Sequence, residues 1–353
     1  MEKKLYPLKF VPIASKKPWG GTWLVDKLGK SYTETDAEGN EQAIPKNERI
    51  GESWEVADMG EQDSVVAEGW LAGNSISELM ETYMERLVGD KVFDAYGTQF
   101  PLLIKFLDVQ DKLSVQVHPD DTVASQRYDS LGKAEMWYII DAAEDATMYM
   151  GFKKDVSARE FYDACKSGTA DKLLNVIHPK KGDVYYINPG TVHAADKGIL
   201  VCEIQESSDI TFRLYDWGRE LNPATARKTH LDEAIELIDY KTYTPAGMHA
   251  GPKETKVVCD VPQFTVSHVS VDAPVVVSPE KLESFIVYNC LKGEVIIRMP
   301  DEYGKDIDYR LRLGETMLIP AECPDFTILP AGGDAELLQS ITRPAPAADS
   351  YLS

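Results

Sequence analysis

Short apolar runs of strand type recur along this chain, and Gly, Pro or Asp interrupts each one before it reaches helical length. In the first part they are PLLIKFLDV (101–109), KLSVQVHP (112–119), EMWYIID (135–141), DVYYINP (183–189), GILVCEIQ (198–205) and DITFRLYDW (209–217). Later come FTVSHVSV, PVVVSP, SFIVYNC, GEVIIRM, YRLRLGETMLIP and FTILP. Branched and aromatic side chains suit a pleated, half-buried surface, and many short strands with regular turn signals predict a sandwich or barrel. The chain is therefore expected to be mostly β, and its 353 residues suffice for two domains.

Few helices fit between the strands. Ser75-Ile-Ser-Glu78 has the pattern of a capping box and predicts a helix over about 75–88, ended by Gly89. Ser157-Ala-Arg-Glu160 predicts another over 157–176. Leu231, Ala234, Ile235 and Ile238 recur at helical spacing and predict a third over 225–239. Residues 30–48 are polar and turn-rich, which suits a surface loop. Residues 241–256 lack apolar periodicity and hold two prolines and two glycines, so they read as a linker between a first unit, 1–240, and a second, 257–353. A weak repeat spans that linker. Gly182-Asp-Val-Tyr-Tyr-Ile-Asn-Pro189-Gly-Thr-Val-His193 is echoed by Gly314-Glu-Thr-Met-Leu-Ile-Pro320-Ala-Glu-Cys-Pro-Asp325, without the histidine. Two related barrels follow, only the first of which carries a metal.

Composition removes several function classes. A formal charge of −21 disfavours nucleic acid and anionic lipid, which need a basic face. No apolar run approaches the ~18 residues of a membrane span. The N-terminal stretch has basic residues but no continuous apolar core, so it reads as mature sequence. Five cysteines without a CxxC pair fit a reduced, cytoplasmic protein. An anionic ligand would need local cations in so acidic a chain.

Strand parity supplies candidate site residues. Side chains alternate between faces, so Ser114, Gln116 and His118 share one face, backed by Val115 and Val117. The same rule puts Asp209, Thr211, Arg213 and Tyr215 together, with Phe212 and Leu214 opposite. Lys105 is the lone charge in an apolar strand, and a buried lysine must pair or bind an anion. Taken singly, each residue has a plainer reading: a structural histidine, a core amide, a surface carboxylate, a snorkelling lysine or a salt-bridged arginine. His178, His230, His249 and His268 keep that plainer reading. His230 falls in a helical stretch, His249 in the linker, and His268 in the second half without partners.

The joint pattern is more specific. Gln116-x-His118, then Glu135, then Gly-Asp…Pro-Gly-x-x-His193, follows the metal pattern of cupin barrels, with imidazole and carboxylate as ligand types suited to a divalent metal. GESWE (51–55), PLLIKFLDVQDKLSVQVHPDD (101–121), GKAEMWYII (132–140), PGTVHA (189–194) and EIQESSDITFRLYDW (203–217) together resemble the type I mannose-6-phosphate isomerases (phosphomannose isomerases), especially their shorter bacterial form with two cupin barrels. The second half matches more loosely.

That resemblance implies two cupin (jelly-roll) barrels, the second degenerate. It implies one zinc ion held by Gln116, His118, Glu135 and His193. It places Arg213 at the catalytic arginine, with Lys133, Asp209 and Glu203 also near the reacting atoms, and Ser114 and Lys105 near substrate or its phosphate. The implied activity interconverts mannose 6-phosphate and fructose 6-phosphate through an enediol, with a small sugar phosphate as partner. The proton carrier stays open among Glu203, Asp209 and a water molecule, as does the oligomeric state. Two departures concern this chain. The stretch between His193 and Glu203 is one residue longer than in the larger enzymes, and their large helical insertion is missing. Two other readings keep the fold: a non-catalytic sugar-phosphate-binding relative, and a redox-metal oxygenase.

Overall fold

The computed structural model describes residues 3–36, 39–224, 226–301 and 303–343. Its strands form two pairs of facing antiparallel sheets and one small separate hairpin. The first pair begins with a seven-stranded sheet. Its order is Ile13–Ser15, Glu52–Val56, Leu102–Val109, Ile199–Glu206, Glu135–Ala142, Asp183–Ile187 and Gly247–His249. Opposite lies a five-stranded sheet ordered Phe212–Tyr215, Val115–Val117, His193–Ala195, Met148–Phe152 and Leu174–Ile177. The later strands, from Lys256–Asp260 to Ala335–Ile341, make a five-stranded and a four-stranded sheet. The mostly-β cupin class is thus observed. The last ten residues of the expected second unit lie outside the described residues.

Both faces of the seven-stranded sheet are covered, which explains why its strands read as continuous apolar runs. In Leu102–Val109 every residue is buried. Leu102, Ile104 and Phe106 face one core cluster, and Leu107 and Val109 face another. Period-two alternation persists, but each side meets protein. The inner cluster fills the space between the first two sheets with Trp137, Ile139, Met148, Met150 and Val201. The outer cluster joins that sheet to the N-terminal segment, the helices, and Phe264, Val266, Phe285 and Leu338 of the later strands. A third cluster lies within the second sheet pair.

The helices are shorter than the apolar spacing predicts. Ser75 does form its capping box with Glu78. Met84 then takes a left-handed φ of 47° and splits 75–88 into Ile76–Tyr83 and Glu85–Val88. The second helix ends at Lys166, because Ser167 turns its hydroxyl back to the Asp163 carbonyl and Gly168 adopts φ +70°. Residues 170–173 are then a 3-10 turn, and Leu174–Ile177 is already a strand. The third is one turn, Leu231–Ala234. The Leu237 N–H closes onto Ala234, and the Asp239 N–H bonds the Gly190 carbonyl instead of continuing the helix. Its Leu231, Ala234 and Ile238 still bury themselves, which is the signal the spacing carried.

Two more expectations change. Gly247–His249, inside the stretch read as linker, adds an edge strand paired with Asp183–Tyr185. His268 is not without partners. It is fully buried, its Nδ1 lies 2.6 Å from the Glu254 carbonyl oxygen, and its ring stacks on Tyr138 at 5.9 Å between centroids. The two loop glycines of the repeat do correspond in shape. Gly182 and Gly314 have φ of +87° and +77°, and a Cβ on either would strike a carbonyl oxygen at 2.6 or 2.3 Å.

Candidate metal centre and cavity

Pairing register brings the candidate ligands together. Val115–Val117 lies between the strands of Arg213 and His193, and Gln116 is the partner of both residues. Arg213, Gln116 and His193 therefore form a row across three strands. Val115 and Val117 point the other way, into the cluster beneath the sheet with Phe161 and Leu231. Tyr215 departs from the expected parity. A register shift between Arg213 and Tyr215 sends its ring into that same cluster beneath the five-stranded sheet, with Phe212 and Leu214. Asp209, Thr211 and Arg213 do share one wall.

The facing sheet contributes a second row. Trp54, Lys105, Glu203 and Trp137 are successive partners across four strands. The Trp137 indole N–H donates to Glu203 Oε1 at 2.7 Å. Lys105 Nζ lies 3.7 Å from Glu203, 3.8 Å from Asp209 and 4.6 Å from the Trp54 ring centroid. Glu135 sits two residues before Trp137, opposite Gln205.

His118, Glu135 and His193, each 1% exposed, converge where the rows meet. Their ligand-type atoms all lie within 4.8 Å of one another. His193 Nε2 is 3.1 Å from Glu135 Oε1, and His118 Nε2 is 3.5 Å from Glu135 Oε2. Each imidazole has its Nδ1 against a backbone carbonyl, Thr191 at 2.9 Å and Ile210 at 3.0 Å. A carbonyl there fixes the proton on Nδ1 and leaves Nε2 as a lone-pair donor, the arrangement found behind metal-bound histidines. His118 Nε2 and both Glu135 oxygens have no hydrogen-bond partner despite their burial. Such orphans are rare in native interiors, and a cation satisfies all three at once. The Gln116 amide completes the ring, 3.1 Å from His193 Nε2, and Ser114 donates to Gln116 Oε1 at 3.3 Å.

Ionisation suits the same role. Burial, then the Lys133 ammonium, pushes His118 well below its ordinary value, so it is neutral. Burial alone would raise Glu135. The groups that face it, the His118 and His193 rings and the Lys133 ammonium, outweigh burial and keep the carboxyl ionised. Neutral imidazole and ionised carboxylate are the ligand forms. The donor set of two imidazoles, a carboxylate and an amide fits a divalent ion such as zinc.

Beside the cluster opens a cavity of about 220 Å³. Lys105, Ser114, Gln116, Lys133, Glu203, Asp209 and Arg213, all expected from sequence, line it. Burial favours the neutral form of Lys105, but the carboxylates of Glu52, Glu203 and Asp209 reverse that and keep it cationic. Burial and the Glu135 charge push Glu203 above the ordinary carboxyl range. Lys133 Nζ lies 3.4 Å from Thr211 Oγ1. Arg213 donates from one terminal nitrogen to the Lys228 carbonyl at 2.8 Å. A larger cleft of about 740 Å³, between the N-terminal segment and the outermost sheet, contains none of these residues.

Sequence reasoning missed Lys17, Trp19, Glu52, Trp137 and Arg227 in this wall. It also missed His230, whose Nδ1 accepts the Arg213 backbone N–H at 3.1 Å. Glu52 lay within a motif already singled out, and parity from Glu135 would have placed Trp137. Lys17 and Arg227 come from loops, where no periodicity aims a side chain.

The chain is similar to known proteins in sequence and fold. Residues 8–150 match the catalytic domain of phosphomannose isomerase type I. Mannose-6-phosphate isomerase ManA of Bacillus subtilis (strain 168) is 33% identical over 91% of this chain and 95% of its own length. The mannose-6-phosphate isomerase of Streptococcus mutans is 32% identical over 92% and 95%. Among solved structures, the mannose 6-phosphate isomerase from Bacillus subtilis superposes with a TM-score of 0.76 at 30% identity, covering 95% of this chain and 99% of that one. A phosphomannose isomerase from Salmonella typhimurium, 15% identical with a TM-score of 0.75, shares the fold.

Proposed function

Since the chain belongs to the type I phosphomannose isomerases, we propose that it interconverts mannose 6-phosphate and fructose 6-phosphate with one zinc ion per chain. One observation carries this reading: a buried cluster of orphaned ligand atoms opens onto a small cavity whose cations outnumber its acids. Five basic residues, Lys17, Lys105, Lys133, Arg213 and Arg227, face three acids, Glu52, Glu203 and Asp209. An anionic sugar phosphate thus has local partners within a chain of net charge −21.

Gln116, His118, Glu135 and His193 are the proposed ligands. When bound, the ion supplies Lewis-acid polarisation of the sugar's carbonyl or hydroxyl oxygen. The chain's own residues do the rest. Isomerisation removes the C2 proton of the aldose and delivers a proton to C1, through an enediol. Arg213 keeps its charge at any working pH and faces the developing oxyanion. Lys133 and Lys105 hold the phosphate or the sugar hydroxyls, with Ser114 beside them.

For the proton carrier, Glu203 is preferred over Asp209. Its raised affinity for a proton suits a base working near neutrality, and Trp137 and Lys105 fix its orientation. Asp209 is 54% exposed at its side chain and less constrained. The two sheet pairs are proposed as two cupin units divided within 241–256, in a cytoplasmic enzyme.

A coupled assay for fructose 6-phosphate formed from mannose 6-phosphate tests the reading. Turnover should vanish on chelation and return with zinc. A zinc-loaded protein with no turnover would leave a binding relative as the better description.

A further inference from the structure

Lys133 reaches the cavity from a loop, not from a strand, and loops seldom hold a charged side chain still. This loop is tied down at three consecutive amides. The Gly132 N–H donates to Asp121 Oδ1 at 2.9 Å. The Lys133 N–H donates to the Pro119 carbonyl at 3.0 Å. The Ala134 N–H donates to Glu206 Oε2 at 2.7 Å. At Gly132 the backbones come so close that a Cβ would sit 2.6 Å from the Asp121 nitrogen.

Neither acid reaches the cavity. Glu206 follows the parity of Leu200, Cys202 and Ile204, which face away from the inner core, whereas Glu203 faces the cavity. Both acids instead line a separate cleft with Tyr96 and Gln263. Any effect they have on substrate must pass through the loop.

We propose that Asp121 and Glu206 form a carboxyl clamp that grips the amides on either side of Lys133 and fixes its ammonium for the substrate's phosphate or hydroxyls. This rests on the isomerase reading above for the identity of the substrate, though not for the existence of the clamp. Both are positioning residues. Carboxyl oxygens are stronger acceptors than water for two amides in a buried turn, so the pair stiffens the loop just beyond the Glu206 N–H bond to the Ala134 carbonyl, where the pairing of the two strands ends.

Four variants and two readouts decide it. With the zinc-loaded protein, Glu206→Ala should raise KM for mannose 6-phosphate about tenfold and leave kcat within about threefold, because a displaced binding group weakens capture more than chemistry. Glu206→Gln keeps an acceptor for Ala134 and should restore KM. Asp121→Ala, at an exposed helix position where folding is not at stake, should raise KM less. Lys133→Ala should raise KM at least as far as Glu206→Ala. Amide hydrogen exchange at 132–134 should quicken in both clamp-to-Ala variants and not in Glu206→Gln, with metal content unchanged. Wild-type KM and wild-type exchange in Glu206→Ala and Asp121→Ala would overturn the clamp, as would a Gln variant as impaired as the Ala one. An inactive wild-type protein would sink the isomerase reading alone, and the exchange measurement would still decide the clamp.

Discussion

The two sheet pairs use their interiors in opposite ways. Between the later sheets the core is mainly apolar, with Val295, Ile297, Met299, Leu311, Met317, Ile319 and Ile328 among its members, and the Tyr288 hydroxyl there is satisfied by Gln339 Oε1 at 2.8 Å. Between the earlier sheets, part of the same kind of space holds Lys105, Gln116, His118, Glu135, His193 and Glu203, all at most 9% exposed. Burying that many polar groups is unfavourable unless each finds a partner. The earlier pair therefore leaves buried ligand-type atoms without protein partners, as the proposed metal would require, whereas the later pair rests mainly on hydrophobic packing. The repeat that links Gly182 to Gly314 shows how little separates them in backbone, since both glycines turn into a strand of the sheet that faces the shared core.

The largest test of this contrast is at the metal. His193→Ala should abolish stoichiometric zinc, measured by elemental analysis, and lower kcat/KM by more than about a thousandfold. Undiminished zinc would refute the ligand assignment. Arg213→Ala should follow, with turnover down by roughly 10²–10³ as an oxyanion partner is lost, while zinc stays bound. Full activity in that variant would remove Arg213 from the chemistry.

The later pair should behave in the reverse way. Ile297→Ala empties a fully buried site and should destabilise by about 2–4 kcal/mol in urea unfolding, with zinc content and KM as in the wild type. Loss of zinc there would mean that the two interiors are not independent.

The smallest effect concerns pH. Asp108 is fully buried on the seven-stranded sheet, and burial pushes its carboxyl up to about 6, against bonds from Gln110 and the Trp23 N–H. A raised folded value means that this group's stabilisation is complete below its ordinary pKa near 3.8 and is lost as pH rises through about 6. The melting temperature of Asp108→Asn should therefore gain on the wild type between pH 4 and pH 7. A constant difference across that window would contradict the shift.

Much of the site was legible because strands alternate. Ser114, Gln116, Asp209, Thr211 and Arg213 reach the cavity wall as parity predicts. Tyr215 fails because one register shift inverts the faces beyond it, and nothing local announces a bulge. The helices were overextended because apolar spacing marks a buried face and not the hydrogen bonds that end a helix. Ser167 stops one through a local bond, Met84 another through a left-handed φ, and Asp239 the third through a bond to the distant Gly190 carbonyl. His230 looked like a helix residue, but its bond to Arg213 spans 17 positions.

By itself, the sequence determined the β-rich class, the parity of the site strands, and the ordered residues that mark the family, because each depends on neighbours a few positions apart. Tertiary structure alone decided that Glu135 lies between two imidazoles and that its two oxygens lack partners. It also decided that the amides on either side of Lys133 are bonded by two acids from elsewhere in the chain. Those facts depend on which strands pair and in what register, and pairing is set by burying both faces of a sheet at once, a constraint that no single stretch of chain contains.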